Sequence, residues 1–443
     1  MSVNPAVPDS ASIQRPTRAR WMILAMLFVV TTVNFADRAT IALAAPDLSQ
    51  ALHLSPVQMG YIFSAFSWSY VLSQLPGGWL LDRFGSKTIY GMGLALWSLF
   101  TLFQGFVGLL TGGAAIAVLF MLRLAVGVAE APALPGNGRI TSAWFPTQER
   151  GFASAIFSSA QYFGTALFAP IMGWIVHALG WQSVFWVMGG LGLLLALMWP
   201  RTIYGPTRDP RINQGEIDYI RAGGALVDLD EAAKAQQPHA LGVVRTLLLN
   251  RMLFGIYLYQ YCINVMTYFF LTWFPIYLVT ERHMTIVKAG MVASLPALCG
   301  FAGGILGGYV SDRLIRAGWT LTAARKTPIA VGMMMAMSMI GCVLVKSDTM
   351  VIVFMSLAFL GKGIGALGWA VIADTSPPQA GGLSGALFNT FGNVAGIVTP
   401  IVVGYILQSS GSFAGAIVFV GCNAALALFS MMFVVQRIER MQL

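Results

Sequence analysis

Long apolar runs, each broken by turn residues or charges, succeed one another along nearly the whole chain. They predict helices at 21–45, 57–80, 88–108, 113–136, 151–177 and 182–200 in the first half. A second set follows at 250–278, 286–311, 326–345, 350–374, 380–408 and 411–436. Most runs reach the roughly 20 residues that a helix needs to cross a bilayer. Between the sets, residues 201–249 hold most of the soluble character, including Arg208, Asp209, Pro210, Arg211, Glu216 and Asp228 to Glu231. The expected architecture is an all-α membrane protein of twelve spans. Residues 1–200 form one six-helix half, 201–249 a cytoplasmic linker and 250–443 the second half.

The two sets repeat one another. Gly77-Gly78-Trp79-Leu80-Leu81-Asp82-Arg83 follows the second run and Gly307-Gly308-Tyr309-Val310-Ser311-Asp312-Arg313 the eighth, 230 residues apart. Pro170 and Pro400, in the fifth and eleventh runs, share that offset. Parallel six-span repeats are how transporters build a site between their halves. The glycines permit close helix approach, and the Asp-Arg pairs are expected at the inner face as structural gate elements: Asp82 and Arg83 in one half, Asp312 and Arg313 in the other.

Composition agrees with the pattern. Of 443 residues, 57% are hydrophobic and 10% charged, against about 25% charged in soluble domains. The net charge of +9 does not mark a nucleic-acid partner, because the basic residues are scattered over short loops. With the N-terminus in the cytoplasm, 20 of the 26 lysines and arginines fall on the inner side, 3 within spans, and only Arg282, Lys288 and Lys346 outside. That asymmetry places both termini and the linker inside, in a bacterial inner membrane. The four cysteines lie in apolar runs without paired spacing and read as core residues. No metal-ligand spacing and no cavity-depth histidine or cysteine supports a membrane enzyme. The segment from Trp21 reads as an uncleaved span, without a signal cleavage site.

Five charges interrupt the spans: Asp37, Arg38, Arg123, Glu130 and Lys362. Each costs about 2.5–3.5 kcal/mol at bilayer centre, so each needs a partner or a purpose. A rise of 1.5 Å per residue puts Arg38 roughly 10 Å, Arg123 roughly 14 Å and Lys362 roughly 16 Å below the outer surface, with Asp37 level with Arg38 and Glu130 deeper, at roughly 24 Å. Asn34, Asp37 and Arg38 share one helix stripe, as do Arg123, Gly127 and Glu130. Tyr70, Gln74, Gln161, Gln260, Asn264, Asn389 and Asn393 fall at similar depth. Together they describe a wet cavity lined by both halves. Interhelical ion pairs, Asp37 with Arg123 or Glu130 with Arg38, are the purely structural alternative. Three cations against two acids leave a positive charge for an anion. The lone amides fit helix–helix hydrogen bonding as well as ligand contact, and Trp369 and Tyr268 fit packing better than ligation.

Asn34-Phe35-Ala36-Asp37-Arg38-Ala39-Thr40, Gly60-Tyr61-Ile62-Phe63-Ser64-Ala65-Phe66-Ser67-Trp68 and Glu130-Ala131-Pro132 with Pro135-Gly136-Asn137 resemble the anion:cation symporters of the major facilitator superfamily. Ser159-Ala160-Gln161-Tyr162-Phe163, Gln260-Tyr261-Cys262-Ile263-Asn264, the glycine-rich stretch Gly361 to Trp369 and Phe388-Asn389 are most similar to its D-glucarate/D-galactarate permeases. The resemblance implies proton-coupled import of sugar-derived dicarboxylates, with protons as coupling ion and no other cofactor. It assigns protonation to Asp37 and Glu130, and ligand and coupling contacts to Arg38, Arg123, Tyr70, Gln161, Trp369 and Asn389. Phe35 departs from it, standing where relatives often carry tyrosine. Lys362 is expected to hold the second carboxylate of an aldarate. A monomer is expected. Rival expectations are import of monocarboxylate sugar acids such as galactonate, export of organic anions on the same fold, and a flux-less sensor derived from a transporter.

Overall fold

The computed structural model describes residues 16–229, 241–377 and 380–442. Its helices in the first half are α1 (Ala19–Ala51), α2 (Pro56–Phe84), α3 (Ser86–Gln104), α4 (Gly112–Glu130), α5 (Ala133–Trp144), α6 (Thr147–Leu179) and α7 (Trp181–Thr202). Two short helices, α8 (Gln214–Ala222) and α9 (Leu241–Leu249), lie in the linker region. The second half holds α10 (Arg251–Thr272), α11 (Phe274–Thr280), α12 (Ile286–Arg316), α13 (Leu321–Ala336), α14 (Asp348–Gly365), α15 (Gly368–Thr375), α16 (Gly381–Ser410) and α17 (Ala414–Phe429). Among the described residues, ten helical stretches are long and apolar enough to cross a membrane, and the pair α10–α11, bent by 47°, makes an eleventh. Helix α2 matches them in length at 29 residues, but Ser64, Ser67, Ser69, Tyr70 and Gln74 make it more polar.

The expected runs differ from these helices where proline and glycine act. The fourth run breaks at Ala131–Pro132 and continues as α5 to Trp144, eight residues beyond the expected end. Proline removes a backbone donor and crowds the preceding turn, which bends a helix without ending the span. The tenth run breaks at Ala366–Leu367, after Gly361, Gly363 and Gly365. In α1 the chain stays helical through Pro46 to Ala51, six residues past the expected end.

The halves meet backbone to backbone at the end of the bundle away from the linker. Four glycines carry that contact. A Cβ on Gly60 would lie 2.6 Å from the Pro400 carbonyl oxygen, and one on Gly404 2.7 Å from that of Pro56, so α2 and α16 touch backbone to backbone. A Cβ on Gly290 would lie 2.6 Å from the Ala169 carbonyl oxygen, and one on Gly173 3.0 Å from that of Ile286, joining α6 to α12. The two crossings obey the sequence repeat: Gly60 and Gly290, Pro56 and Ile286, and Pro170 and Pro400 each stand 230 residues apart. Without a hydrophobic drive between helices in lipid, close approach over small residues is what holds them. Tyr61 and Tyr405 hydroxyls, 3.4 Å apart, add a polar contact there.

At the opposite end the linker is fastened to the first half. Glu216 of α8 is fully buried. Its carboxylate accepts from Arg20 Nη1 (2.7 Å), the Ala19 backbone N–H (3.0 Å) and Thr17 Oγ1 (2.5 Å). Arg20 also donates from Nε to Glu149 of α6 at 3.0 Å, and Tyr219 donates to the same carboxylate at 2.7 Å. A polar linker segment thus becomes a clamp on the starts of α1 and α6. Removing one partner of a buried pair strands the other, a loss of about 3 kcal/mol. Glu216→Ala should therefore lower the thermal unfolding midpoint of the purified protein, whereas exposed Asp218→Ala should not; equal midpoints would refute the clamp.

The glycine crossings make a second prediction. Gly60→Ala or Gly290→Ala forces a methyl against a backbone oxygen. Spin labels replacing Tyr61 and Tyr405 should then report a longer mean separation than in the parent.

Candidate binding site at mid-bundle

Helix α1 carries Asn34, Asp37 and Arg38 on one buried stripe, as the i, i+3, i+4 spacing requires. Arg38 Nε donates to Glu130 Oε2 at 2.8 Å, an ion pair in which the glutamate side chain is fully buried. The expected difference in depth between Arg38 and Glu130, roughly 14 Å, is too large for this contact. Because α1 extends to Ala51, Arg38 stands 13 residues from its end, about 20 Å along the axis. The long arginine side chain covers the remaining difference. Asp37 makes a different bond, accepting from Thr101 Oγ1 of α3 at 2.7 Å. Arg123, also buried, has no carboxylate within ion-pair distance among the described residues, and its Nε lacks a hydrogen-bond partner. The alternative pairing of Asp37 with Arg123 is therefore not made, whereas Arg38–Glu130 is.

Aromatic faces cradle the guanidinium groups. Arg38 lies 4.9 Å from the Phe35 ring centre, 4.8 Å from Phe66 and 4.9 Å from Tyr70. Arg123 lies 5.4 Å from the same Phe66. Ring faces attract cations without neutralising them, so the charge of Arg123 stays available to an anion, and that of Arg38 does once Glu130 lets go. Phe35 lacks a hydroxyl but contributes this face.

The second half supplies Lys362, buried on α14. Its Nζ lies 5.6 Å from the Tyr162 ring and 5.4 Å from Phe359, with no acid in ion-pair range among the described residues. It lines a small cavity with Phe35, Gln161, Tyr162, Thr165 and Thr267, drawn from both halves. Phe35 thus neighbours Arg38 and the Lys362 cavity at once.

A chain of hydrogen bonds crosses between the halves close by. Tyr268 of α10 donates to Asn393 Oδ1 at 2.8 Å, Asn393 Nδ2 to Asn389 Oδ1 at 3.2 Å, and Asn389 Nδ2 to Gln74 Oε1 at 3.2 Å. Gln260 and Asn264 reach the same region from α10. A Cβ on Gly392 would lie 2.5 Å from Asn264 Nδ2 and 3.0 Å from Gln260 Cγ, and one on Gly368 3.0 Å from Gln260 Oε1. Trp369 packs edge-on against Phe388 at 4.8 Å yet stays 56% exposed. Tyr70 is buried with an unpartnered hydroxyl.

The gate motifs sit apart from this cluster. Arg83 turns to Trp79 and Phe84 of its own helix, at 5.2 and 5.5 Å, and Arg313 donates to Tyr309 at 3.0 Å, so neither reaches across to another helix in these contacts. Asp82 lies in the last turn of α2, its side chain outside what the structure describes. The interhelical latch in the second half is made by Arg325 of α13, which lies 3.5 Å from Asp312 and bonds Asp374 of α15 at 2.9 Å. Sequence reasoning missed Arg325, Thr101, Phe66 and the bonding role of Tyr268. Spacing could have found two of them: Phe66, Tyr70 and Gln74 fall four residues apart, as do Gln260, Asn264 and Tyr268. Thr101 carried no such signal.

Comparison with known proteins agrees with this architecture. The chain is 55% identical over 439 residues to a probable galactarate/D-glucarate transporter of Bacillus subtilis, covering 98% of this chain and 96% of that one. It is 54% identical over 437 residues to a probable galactarate/D-glucarate transporter of Escherichia coli K12, covering 98% and 97%. Its backbone is similar to the crystal structure of a bacterial homologue of the human lysosomal transporter Spinster, with a TM-score of 0.74 at 18% identity over 95% of this chain and 98% of the other. Residues 27–371 match the Major Facilitator Superfamily, and the chain is a multi-pass membrane transporter belonging to that family.

Proposed function

We propose that the chain imports sugar-derived dicarboxylates of the galactarate/D-glucarate class together with protons. One observation carries the substrate class. Arg123 in the first half and Lys362 in the second are buried without an acid in ion-pair range among the described residues. Buried charge without a partner is costly in a membrane, and a ligand carrying a carboxylate at each end would neutralise both cations. The substrate named for the two relatives supports the same chemistry.

Proton coupling follows from competition for Arg38. With Glu130 ionised, its carboxylate occupies Arg38 at 2.8 Å. Protonation would weaken that pair and release the guanidinium to a substrate carboxylate, with Arg123 beside it. Rocking of the halves about the site opens it to the other side, and loss of the proton lets Glu130 reclaim Arg38 and expel the anion. Asp37, held by Thr101, is the second protonation site. The excess of lysine and arginine at the linker end orients that end and both termini to the cytoplasm of a bacterial inner membrane. The protein acts as a monomer.

Uptake by proteoliposomes of galactarate, glucarate and galactonate, measured side by side under an inward proton gradient, tests the reading. Concentrative uptake of the dicarboxylates supports it; outward transport alone, or binding without flux, overturns it. Lys362→Gln should raise KM for galactarate about tenfold or more while sparing galactonate, as loss of a charge-assisted contact requires. An Asp37→Asn, Glu130→Gln double variant should exchange substrate without concentrating it. Two protons with a dianion move no net charge, whereas a third would couple import to the membrane potential at about 2.3 kcal/mol per 100 mV. An imposed potential therefore reads the stoichiometry.

A further inference from the structure

Gln74 lies where the two halves exchange their mid-depth hydrogen bond. Its carbonyl oxygen accepts from Asn389 Nδ2 at 3.2 Å, the last step of the chain from Tyr268 through Asn393. The direction of that chain is fixed at Asn393, whose Nδ2 must face the Asn389 backbone carbonyl at 2.9 Å, since that oxygen can only accept, and so also donates to Asn389 Oδ1 beside it. Asn389 must then spend its own Nδ2 on Gln74, and Gln74 answers with oxygen. Its amide nitrogen is left facing away from the chain, buried, with no hydrogen-bond partner. One turn along α2, the Tyr70 hydroxyl is likewise buried and unpartnered. Four residues separate the two, about 6 Å along the axis, a spacing that two groups on one six-carbon ligand can span. Tyr70 also lies beneath the Arg38 guanidinium, the cation expected to hold a carboxylate, and Gln74 follows it one turn along the helix.

We propose that Gln74 is a specificity-determining residue that donates its free amide N–H to a hydroxyl of the bound sugar acid while its carbonyl keeps Asn389 of the opposite half in place. The inference rests on the substrate class proposed above and extends it from the carboxylate ends of the ligand to its hydroxylated middle. A buried donor without a partner rejects a ligand that cannot accept from it, because burial of that ligand leaves the donor unsatisfied. Gln74 therefore separates hydroxylated from unhydroxylated dicarboxylates of equal length, a distinction that Arg38, Arg123 and Lys362 cannot make through charge alone. Its bond to Asn389 ties that recognition to both halves.

The test compares galactarate with adipate, which has the same six carbons and two carboxylates but no hydroxyls. Proteoliposomes of the full chain carrying Gln74→Met or Gln74→Leu are assayed for galactarate KM and Vmax and for the inhibition constant of adipate. The expected result is a galactarate KM raised about tenfold, an adipate inhibition constant unchanged within about twofold, and a narrowed preference between the two ligands. An equal fall in Vmax with both constants unmoved would assign Gln74 to gating alone and overturn the proposal. An equal weakening of both ligands would overturn it too, since only charge recognition would then be disturbed. Two substitutions of different shape, each checked for monodispersity in detergent, keep a folding failure from imitating either result. Wild-type protein that ignores galactarate would instead sink the substrate class itself.

Discussion

Everything in this molecule is arranged around the cost of placing charge in hydrocarbon. Five ionisable side chains inside the spans would be prohibitive if each faced lipid. Instead Arg38 and Glu130 neutralise one another, Asp37 is held by a threonine hydroxyl, and Arg38 and Arg123 rest on aromatic faces. Lys362 closes the set from the other half, beside rings that attract its charge and do not cancel it. The helices need bury these groups only along one seam, which is why apolar composition and a charged centre coexist in one chain.

That seam also explains the glycines. The halves share a small cavity and polar contacts at mid-bundle, and they touch backbone to backbone toward the end away from the linker. They do so over Gly60, Gly173, Gly290 and Gly404, through backbone contacts that no larger residue permits. The linker clamp of Arg20, Glu149 and Glu216 keeps the first half rigid at the other end. A rigid half bearing Arg38 and Glu130 can then move as a body against the half bearing Lys362.

Much of this was legible in the residues. Apolar periodicity marked the spans and the repeat, and the spacing of Asn34, Asp37 and Arg38 gave their shared face. What the sequence hid was distance between helices. Depths counted from assumed helix ends separated Arg38 from Glu130 too widely, because proline at position 46 does not end α1. Thr101 sits on a helix whose pattern says nothing of Asp37. Arg83 and Arg313 look like interhelical latches in the motif, but Arg83 lies against rings of its own helix and Arg313 bonds the Tyr309 hydroxyl of its own, and Arg325 makes the interhelical contacts in the second half. Local chemistry is written in order along the chain; the neighbour from a distant helix is not.

The central claim is that unneutralised cations from both halves receive a two-ended anion. A structure of the protein with galactarate bound tests it most directly. One carboxylate should lie about 2.8 Å from the guanidinium nitrogens of Arg38 or Arg123 and the other at similar distance from Lys362 Nζ. A ligand seated with Lys362 facing no carboxylate, or with both carboxylates held by a single half, would contradict it.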